Sequence, residues 1–141
     1  MAENKNLYIV DASVMLKWFL KNENDVEIAL RVRNDRVLRK VDIAVPTHAF
    51  YEIMNTLGLK SPDEMLTCLS QLYLLRLNQY DLNLSLASTA QELMRKFKGV
   101  TFYDAAYHAL ALNLGGTFIT ADTKYFEKTK SAKHIKLLKN Y

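Results

Sequence analysis

The sequence has few of the residues that stiffen or cross-link small folds: one Cys, four Gly and two Pro in 141 residues. Because Cys68 is single, it excludes an internal disulfide, and its apolar neighbours predict a buried side chain in a helix. No apolar run approaches the roughly 20 residues that a membrane-spanning helix needs. Met1 to Asn6 is polar, and no signal-type apolar block follows. We therefore expect a soluble, cytoplasmic protein.

Several common catalytic motifs are also missing. The sequence contains no serine nucleophile elbow and no phosphate-binding P-loop. His48, His108 and His134 are scattered, and none has the spacing to another His or Cys that a zinc site requires. These histidines are expected to have structural or surface roles, which leaves Asp and Glu as the candidate catalytic groups.

The composition predicts one compact domain spanning residues 1–141. Half of the residues are hydrophobic, which is enough for one continuous core. Lys and Arg total 19 against 15 Asp and Glu, so the formal net charge of +4 mildly favours a polyanionic partner. A basic series from Arg31 to Lys40 could contact phosphates, although a basic helix face is more often simply solvated.

Apolar runs typical of strands alternate with amphipathic helical patterns. Strands are predicted at Leu7 to Val10, Ile43 to Val45, Tyr80 to Asn83, Thr117 to Thr120 and Ile135 to Leu138. Thr47 and the Ser61-Pro62-Asp63-Glu64 sequence predict capped helix starts, the second leading to a helix that runs to about Leu77. That helix is apolar nearly all round, as expected of deep burial or of a dimer or partner surface. The alternation predicts a mostly parallel sheet covered on both faces by helices.

Four acids occupy positions from which they could meet. Asp11 follows the first strand, and Asp122 follows the strand that ends at Thr120. Ligands bind beyond the carboxyl ends of the strands in such sheets. Glu52 lies among apolar neighbours on a helix, and Asp104 opens an Ala-rich helix with few cations nearby. Convergence of these acids would be costly without a divalent cation held by oxygen ligands, so the set predicts a metal site. Taken singly, the three aspartates could be helix caps and Glu52 could pair with a surface Lys.

The motifs resemble a known family. Ile9-Val10-Asp11-Ala12-Ser13, then Pro46 with Glu52 and Asn55, then Tyr103-Asp104-Ala105-Ala106-Tyr107-His108-Ala109-Leu110-Ala111, then Ile119-Thr120-Ala121-Asp122 resemble PIN domains. The likeness is greatest to the VapC toxins of prokaryotic toxin–antitoxin pairs. It extends from about Leu7 to Leu138.

The resemblance implies an α/β/α three-layer sandwich whose acids bind Mg²⁺ or Mn²⁺ and cleave RNA. It implies that Asp11, Glu52, Asp104 and Asp122 are the acidic ligands and that Thr120 is a supporting hydroxyl, with Ser13 and Asn55 as further candidates. It also implies a homodimer and a small antitoxin partner. The region from Lys60 to Gln79 carries no family motif.

Two other functions remain open at this point. An aspartate-nucleophile phosphatase would use Asp11, but such enzymes usually carry a second acid two residues later, where this chain has Ser13. A PIN-like RNA-binding or RNA-processing module without a toxin role is the other alternative. Modules that only bind or assemble typically lose one or more acids, whereas this chain has all four.

Overall fold

A sheet of five parallel strands forms the centre of the computed structural model, which describes residues 6–141. The strands are β1 (Leu7–Val10), β2 (Asp42–Pro46), β3 (Asn78–Tyr80), β4 (Thr117–Thr120) and β5 (Ile135–Leu137), in the order β3-β2-β1-β4-β5. All four strand pairs are parallel. The predicted, mostly parallel sheet is thus confirmed.

Seven α-helices surround this sheet and complete a three-layer α/β/α fold. They are α1 (Ala12–Leu16), α2 (Val26–Val37), α3 (His48–Lys60), α4 (Met65–Leu74), α5 (Leu84–Lys96), α6 (Phe102–Leu114) and α7 (Thr123–Thr129). Short 3-10 turns cover Pro62–Glu64, Lys130–Ala132 and Leu138–Asn140. Helix α6 contacts β1, β2 and β4 and packs along α5. In the described part of the chain, no helix is long and apolar enough to cross a membrane.

The order of the strands fixes where a ligand would bind. Strand β1 is central, with Ile9 and Val10 fully buried, and its neighbours β2 and β4 are reached by connections that leave in opposite directions. The carboxyl ends of β1 and β4 therefore flank a topological switch point, the place where open α/β sheets leave a crevice.

The chain also lies close to β1 at the residue directly before β4. A side chain at Gly116 would lie 2.8 Å from the carbonyl oxygen of Leu7, so only glycine fits there.

Two predicted helix caps are wrong. The hydroxyls of Thr47 and Ser61 make no capping hydrogen bond in the structure. Thr47 has helical dihedral angles, and its amide donates to the carbonyl oxygen of Tyr80 at 3.0 Å. Its place beside β3 therefore determines its conformation more than its capping tendency does. After Ser61 the chain forms a 3-10 turn, and the α-helix begins only at Met65.

Helix α4 is less buried than its apolar sequence predicts. Cys68 and Leu72 are buried, the first as expected, but Leu66, Tyr73 and Leu74 are 69%, 56% and 81% exposed. Of the two expectations for this helix, deep burial is wrong for these three side chains. They form an exposed apolar face.

Strand β3 is shifted relative to the predicted Tyr80 to Asn83. Residues 78–80 pair with β2, with Pro46 opposite Tyr80. Asn83 instead caps α5, because its side-chain oxygen accepts a hydrogen bond of 2.8 Å from the amide of Leu86. Asn is one of the preferred N-cap residues, so the local cap ends the extended segment early.

Candidate active site

Asp11 and Thr120 meet across the switch point. Asp11 directly follows β1, and Thr120 is the last residue of β4. The Thr120 hydroxyl donates to Oδ2 of Asp11 at 2.7 Å, and its oxygen accepts a 3.0 Å hydrogen bond from the amide of Asp122. Thr120 thus holds both aspartates at the same edge of the sheet.

The Asp11 carboxylate is fixed by three donors. Besides Thr120, the Ser13 hydroxyl donates to Oδ1 at 2.6 Å, and the amide of Val14 donates to the same oxygen at 3.1 Å. The bond from Val14 caps α1, so the capping role considered for Asp11 is real. It does not exclude a role at the site, because a carboxylate offers about four lone pairs.

Burial raises the pKa of Asp11 from 3.8 to about 6. The negative charge of Asp104 acts in the same direction, whereas the hydrogen bonds from Ser13, Thr120 and Val14 oppose it. Three donors therefore do not fully offset the loss of water around this carboxylate. An added positive charge would be strongly favoured beside it.

Asp104 is a half-buried acid that does not cap its helix. The cap of α6 is Thr101, whose hydroxyl accepts a 3.2 Å hydrogen bond from the amide of Asp104. Burial raises the pKa of Asp104, followed by repulsion from Asp122 and, more weakly, from Glu52. Since its charge also raises the pKa of Asp11, Asp104 interacts electrostatically with each of the other three acids.

Asp122 has the capping role that the sequence allowed. Its carboxylate accepts a 3.0 Å hydrogen bond from the amide of Tyr125 and so caps α7. The side chain is nevertheless exposed, and its negative charge raises the pKa of Asp104. Capping therefore accounts for its position, and its role as a metal ligand stays a prediction.

Glu52 is held by two aromatic residues rather than by a Lys. The hydroxyl of Tyr107, a buried residue, donates to Oε1 of Glu52 at 3.0 Å. Nε2 of His48, four residues earlier on α3, lies 3.1 Å from the same oxygen. Burial and the adjacent Glu52 both raise the pKa of Tyr107, so its hydroxyl keeps its proton and remains a donor. Tyr107 and His48 thus hold Oε1 of Glu52, whose negative charge also raises the pKa of Asp104.

The cluster has little compensating positive charge. Within residues 6–141, Asp11, Asp104 and Asp122 form no ion pair. No three Asp, Glu, His or Cys side chains in this part of the chain form a preassembled set of metal ligands. A cation at this place would therefore be held by one or two of these carboxylates, with waters and substrate phosphates as its other ligands, as is typical of Mg²⁺.

Comparison with known proteins agrees with this arrangement. The PIN domain family model matches residues 8–131. The chain belongs to the PIN domain family. Ribonuclease VapC3 of Pyrobaculum aerophilum is 31% identical over 131 residues, which cover 85% of this chain and 92% of that protein.

Solved structures share the fold of this PIN domain at low sequence identity. A toxin–antitoxin complex from Klebsiella pneumoniae has a TM-score of 0.68 at 15% identity, covering 93% of this chain and 97% of that one. VapBC2 from Rickettsia felis, bound to a DNA fragment from its promoter, has a TM-score of 0.66 at 16% identity, covering 93% and 96%. VapC20 of Mycobacterium tuberculosis, a toxin that cleaves the sarcin–ricin loop, has a TM-score of 0.67 at 13% identity, covering 85% and 93%.

Two residues beside the candidate ligands of this PIN domain were not predicted from the sequence. His48 was expected to have a structural or surface role, and Tyr107 was only part of a motif. Both lie one helical turn from a candidate ligand, His48 four residues before Glu52 and Tyr107 three residues after Asp104, and that spacing was the available signal. For His108 the structural role holds. This buried side chain lies 3.0 Å from the Tyr125 hydroxyl and 2.7 Å from the carbonyl oxygen of Lys133.

Hydrogen bonds to other parts of the fold account for two of the basic residues of α2. Arg31 donates to the carbonyl oxygen of Tyr141 at 2.9 Å, and Arg36 donates to that of Arg76 at 3.2 Å. These two guanidinium groups therefore tie α2 to other parts of the fold. An RNA-contacting role for the series stays a prediction.

Proposed function

We propose that this PIN domain is the endoribonuclease toxin of a toxin–antitoxin pair and cleaves RNA with Mg²⁺ or Mn²⁺ held by Asp11, Glu52, Asp104 and Asp122. The observation that carries the proposal is the electrostatic interaction of Asp104 with each of the other three acids, while none of the three aspartates forms an ion pair within residues 6–141. The family and the 31% identity to Ribonuclease VapC3 support the RNA substrate.

Three of the acids would have distinct parts in holding the cation. Asp11 is the most rigid, because Ser13, Thr120 and Val14 restrain both of its oxygens. Asp104 offers a carboxylate that no cap uses, and Glu52 has one oxygen, Oε1, held by Tyr107 and His48. When bound, a divalent cation would act as a Lewis acid on the phosphodiester and offset its developing negative charge. Thr120 is a positioning residue, since it acts through Asp11 and Asp122.

No side chain needs to become a covalent nucleophile in this proposal. Ser13 is engaged as a donor to Asp11, and Cys68 is buried in α4. Water is then the attacking group, and the protein positions the phosphodiester beside the acids. The role of Asp11 as a phosphatase nucleophile is disfavoured for a separate reason. Ser13 lies at the position where those enzymes usually have a second acid.

An antitoxin and a second copy of the chain are the proposed protein partners. Structures of toxin–antitoxin complexes share this fold, which supports a small antitoxin as a partner. For the homodimer, the support is the apolar face of α4, formed by Leu66, Tyr73 and Leu74, which is exposed in a single chain. Apolar faces of this kind commonly mark protein interfaces. The cytoplasm is the proposed location, as expected for an enzyme acting on cellular RNA.

Chelation tests the proposal. Purified protein is incubated with single-stranded RNA in Mg²⁺ or Mn²⁺, then in EDTA, then in EDTA followed by excess metal. We expect cleavage only with metal, and recovery when metal is restored. The second candidate, an RNA-binding module without catalysis, is favoured by the lack of a preassembled ligand set in the described residues. RNA binding without cleavage in any metal would establish that alternative.

A further inference from the structure

A concave site lies next to Glu52 and Asp104. It has a volume of about 350 Å³ and lies at the carboxyl ends of β2 and β3, between α3, α5 and α6. Its lining includes four rings, those of His48, Tyr80, Phe102 and Tyr103. The remaining lining residues described are Pro46, Thr47, Leu82, Leu86 and Ala106, so none is Lys, Arg, Asp or Glu.

His48 joins this pocket to the acid cluster. Its Nε2 donates to the carbonyl oxygen of Tyr103 at 3.2 Å and lies 3.1 Å from Oε1 of Glu52. Tyr103 is also the residue directly before Asp104. A group in the pocket would therefore be adjacent to whatever the acids hold.

The walls of the pocket suit a flat, uncharged group better than a phosphate. The lining residues offer aromatic faces and the hydroxyls of Thr47 and Tyr80, but they include no Lys or Arg to pair with an anion. Tyr103 is 66% exposed, so its ring is free to form a stack. Unpaired RNA bases bind proteins by stacking on aromatic side chains while their edges form hydrogen bonds.

We infer that this pocket, defined by His48, Tyr80, Phe102 and Tyr103, binds an unpaired nucleobase of the RNA next to the phosphate at the acids. The inference rests on the proposed endoribonuclease function and adds a base-binding subsite to it. Tyr103 supplies the stacking face, and His48 fixes the wall between the subsite and Glu52. The preferred substrate is then single-stranded at that nucleotide.

Abasic nucleotides test this subsite directly. The cleavage position is first mapped on a single-stranded RNA oligonucleotide with wild-type protein. Each of the nucleotides flanking that bond is then replaced, one at a time, by an abasic nucleotide, and kcat/KM is measured for the wild type and for Tyr103→Ala, Tyr103→Trp and Tyr51→Ala. Tyr51 is an exposed aromatic outside this pocket and serves as the matched control. Thermal melts report whether each variant is folded.

One abasic position should lower wild-type kcat/KM about tenfold, the size expected for one base–aromatic stack. Tyr103→Ala should lower kcat/KM on intact RNA by a similar factor and lose sensitivity to that position. Tyr103→Trp and Tyr51→Ala should keep the wild-type sensitivity to that abasic position. The inference is overturned if no abasic position matters, or if Tyr103→Ala retains the same abasic penalty. It is also overturned if Tyr103→Ala changes only self-association, because the pocket would then serve a protein contact. Absence of any RNA cleavage by wild type would instead contradict the proposed function.

Discussion

Replacing Asp11 by Asn should stabilise the protein while inactivating it. Asn keeps the size of the side chain and one carbonyl oxygen, which can still accept from Ser13 and Val14, the two donors to Oδ1. It removes a negative charge from a partly buried position close to Asp104. Because the size of the side chain is kept, the change in the free energy of unfolding reports mainly the cost of burying the charge.

The size of the effect follows from the raised pKa. The pKa of Asp11 moves from 3.8 to about 6, and each tenfold change in acidity corresponds to about 1.4 kcal/mol, so the ionised group costs the fold about 3 kcal/mol at most. Partial exposure of Asp11 makes the actual cost smaller. In Asp11→Asn, a weaker hydrogen bond with Thr120 offsets a further amount of about 1 kcal/mol. We expect Asp11→Asn to raise the free energy of unfolding by about 1–2 kcal/mol at pH 8.

The pH dependence gives the sign of the effect. A raised folded-state pKa means that the folded protein keeps this proton up to about pH 6, whereas the unfolded chain loses it near 3.8. Asp11 therefore reduces the stability of the wild type as the pH rises from about 4 to about 6, and no further above that. The advantage of Asp11→Asn should appear across the same window and disappear below it.

Urea unfolding at a series of pH values, with and without Mn²⁺, measures the difference in the free energy of unfolding between Asp11→Asn and the wild type. Asp63→Asn, at an exposed acid in the Pro62–Glu64 turn, is the matched control and should change stability little. Mn²⁺ should stabilise the wild type and have a smaller effect on Asp11→Asn, because a bound ligand stabilises only the state that binds it. The reasoning is refuted if Asp11→Asn is less stable than the wild type at pH 8, or if its advantage does not depend on pH.

Three further outcomes are expected. Thr120→Val should cost about 1–2 kcal/mol in urea unfolding and lower RNA cleavage about tenfold, since it removes the Asp11 donor and the Asp122 acceptor; unchanged cleavage would contradict its positioning role. Tyr107→Phe should leave the ring packing intact and lower kcat about tenfold, because Glu52 loses one donor; an effect on stability alone would assign Tyr107 to the core. Leu74→Glu on α4 should convert a dimer into a monomer in sedimentation, whereas Leu84→Glu, equally exposed on α5, should not; a wild-type monomer at micromolar concentration would exclude the dimer.

The sheet and the rim acids were predictable because their signals are local. Short runs of buried β-branched residues end at an acid or a hydroxyl in both β1 and β4, and parallel strands place those ends at one edge. The prediction from sequence therefore extended to the sheet and to the edge at which Asp11 and Thr120 lie, whereas the role of the acids at that edge stays a prediction.

Features decided by distant contacts were not predictable. Thr is a common cap residue, but the amide of Thr47 donates to the carbonyl oxygen of Tyr80, more than 30 positions away in the chain. The bounds of β3 depend on its register against β2 and on the cap at Asn83. Helix α4 has apolar residues all round, and sequence alone does not show which of them face the core. For Tyr107 the helical spacing placed the residue near Asp104, but only the tertiary structure reveals its hydrogen bond to Glu52 on α3.

Cleavage by Asp104→Asn tests the central claim most directly. The carboxylate of Asp104 accepts no capping hydrogen bond, since Thr101 caps the helix, so Asn should preserve the fold. We expect a melting temperature at least as high as that of the wild type, together with a loss of RNA cleavage of about a hundredfold or more in Mg²⁺ or Mn²⁺, because an anionic ligand is removed. Cleavage at the wild-type rate by a folded Asp104→Asn protein would contradict the metal–carboxylate account.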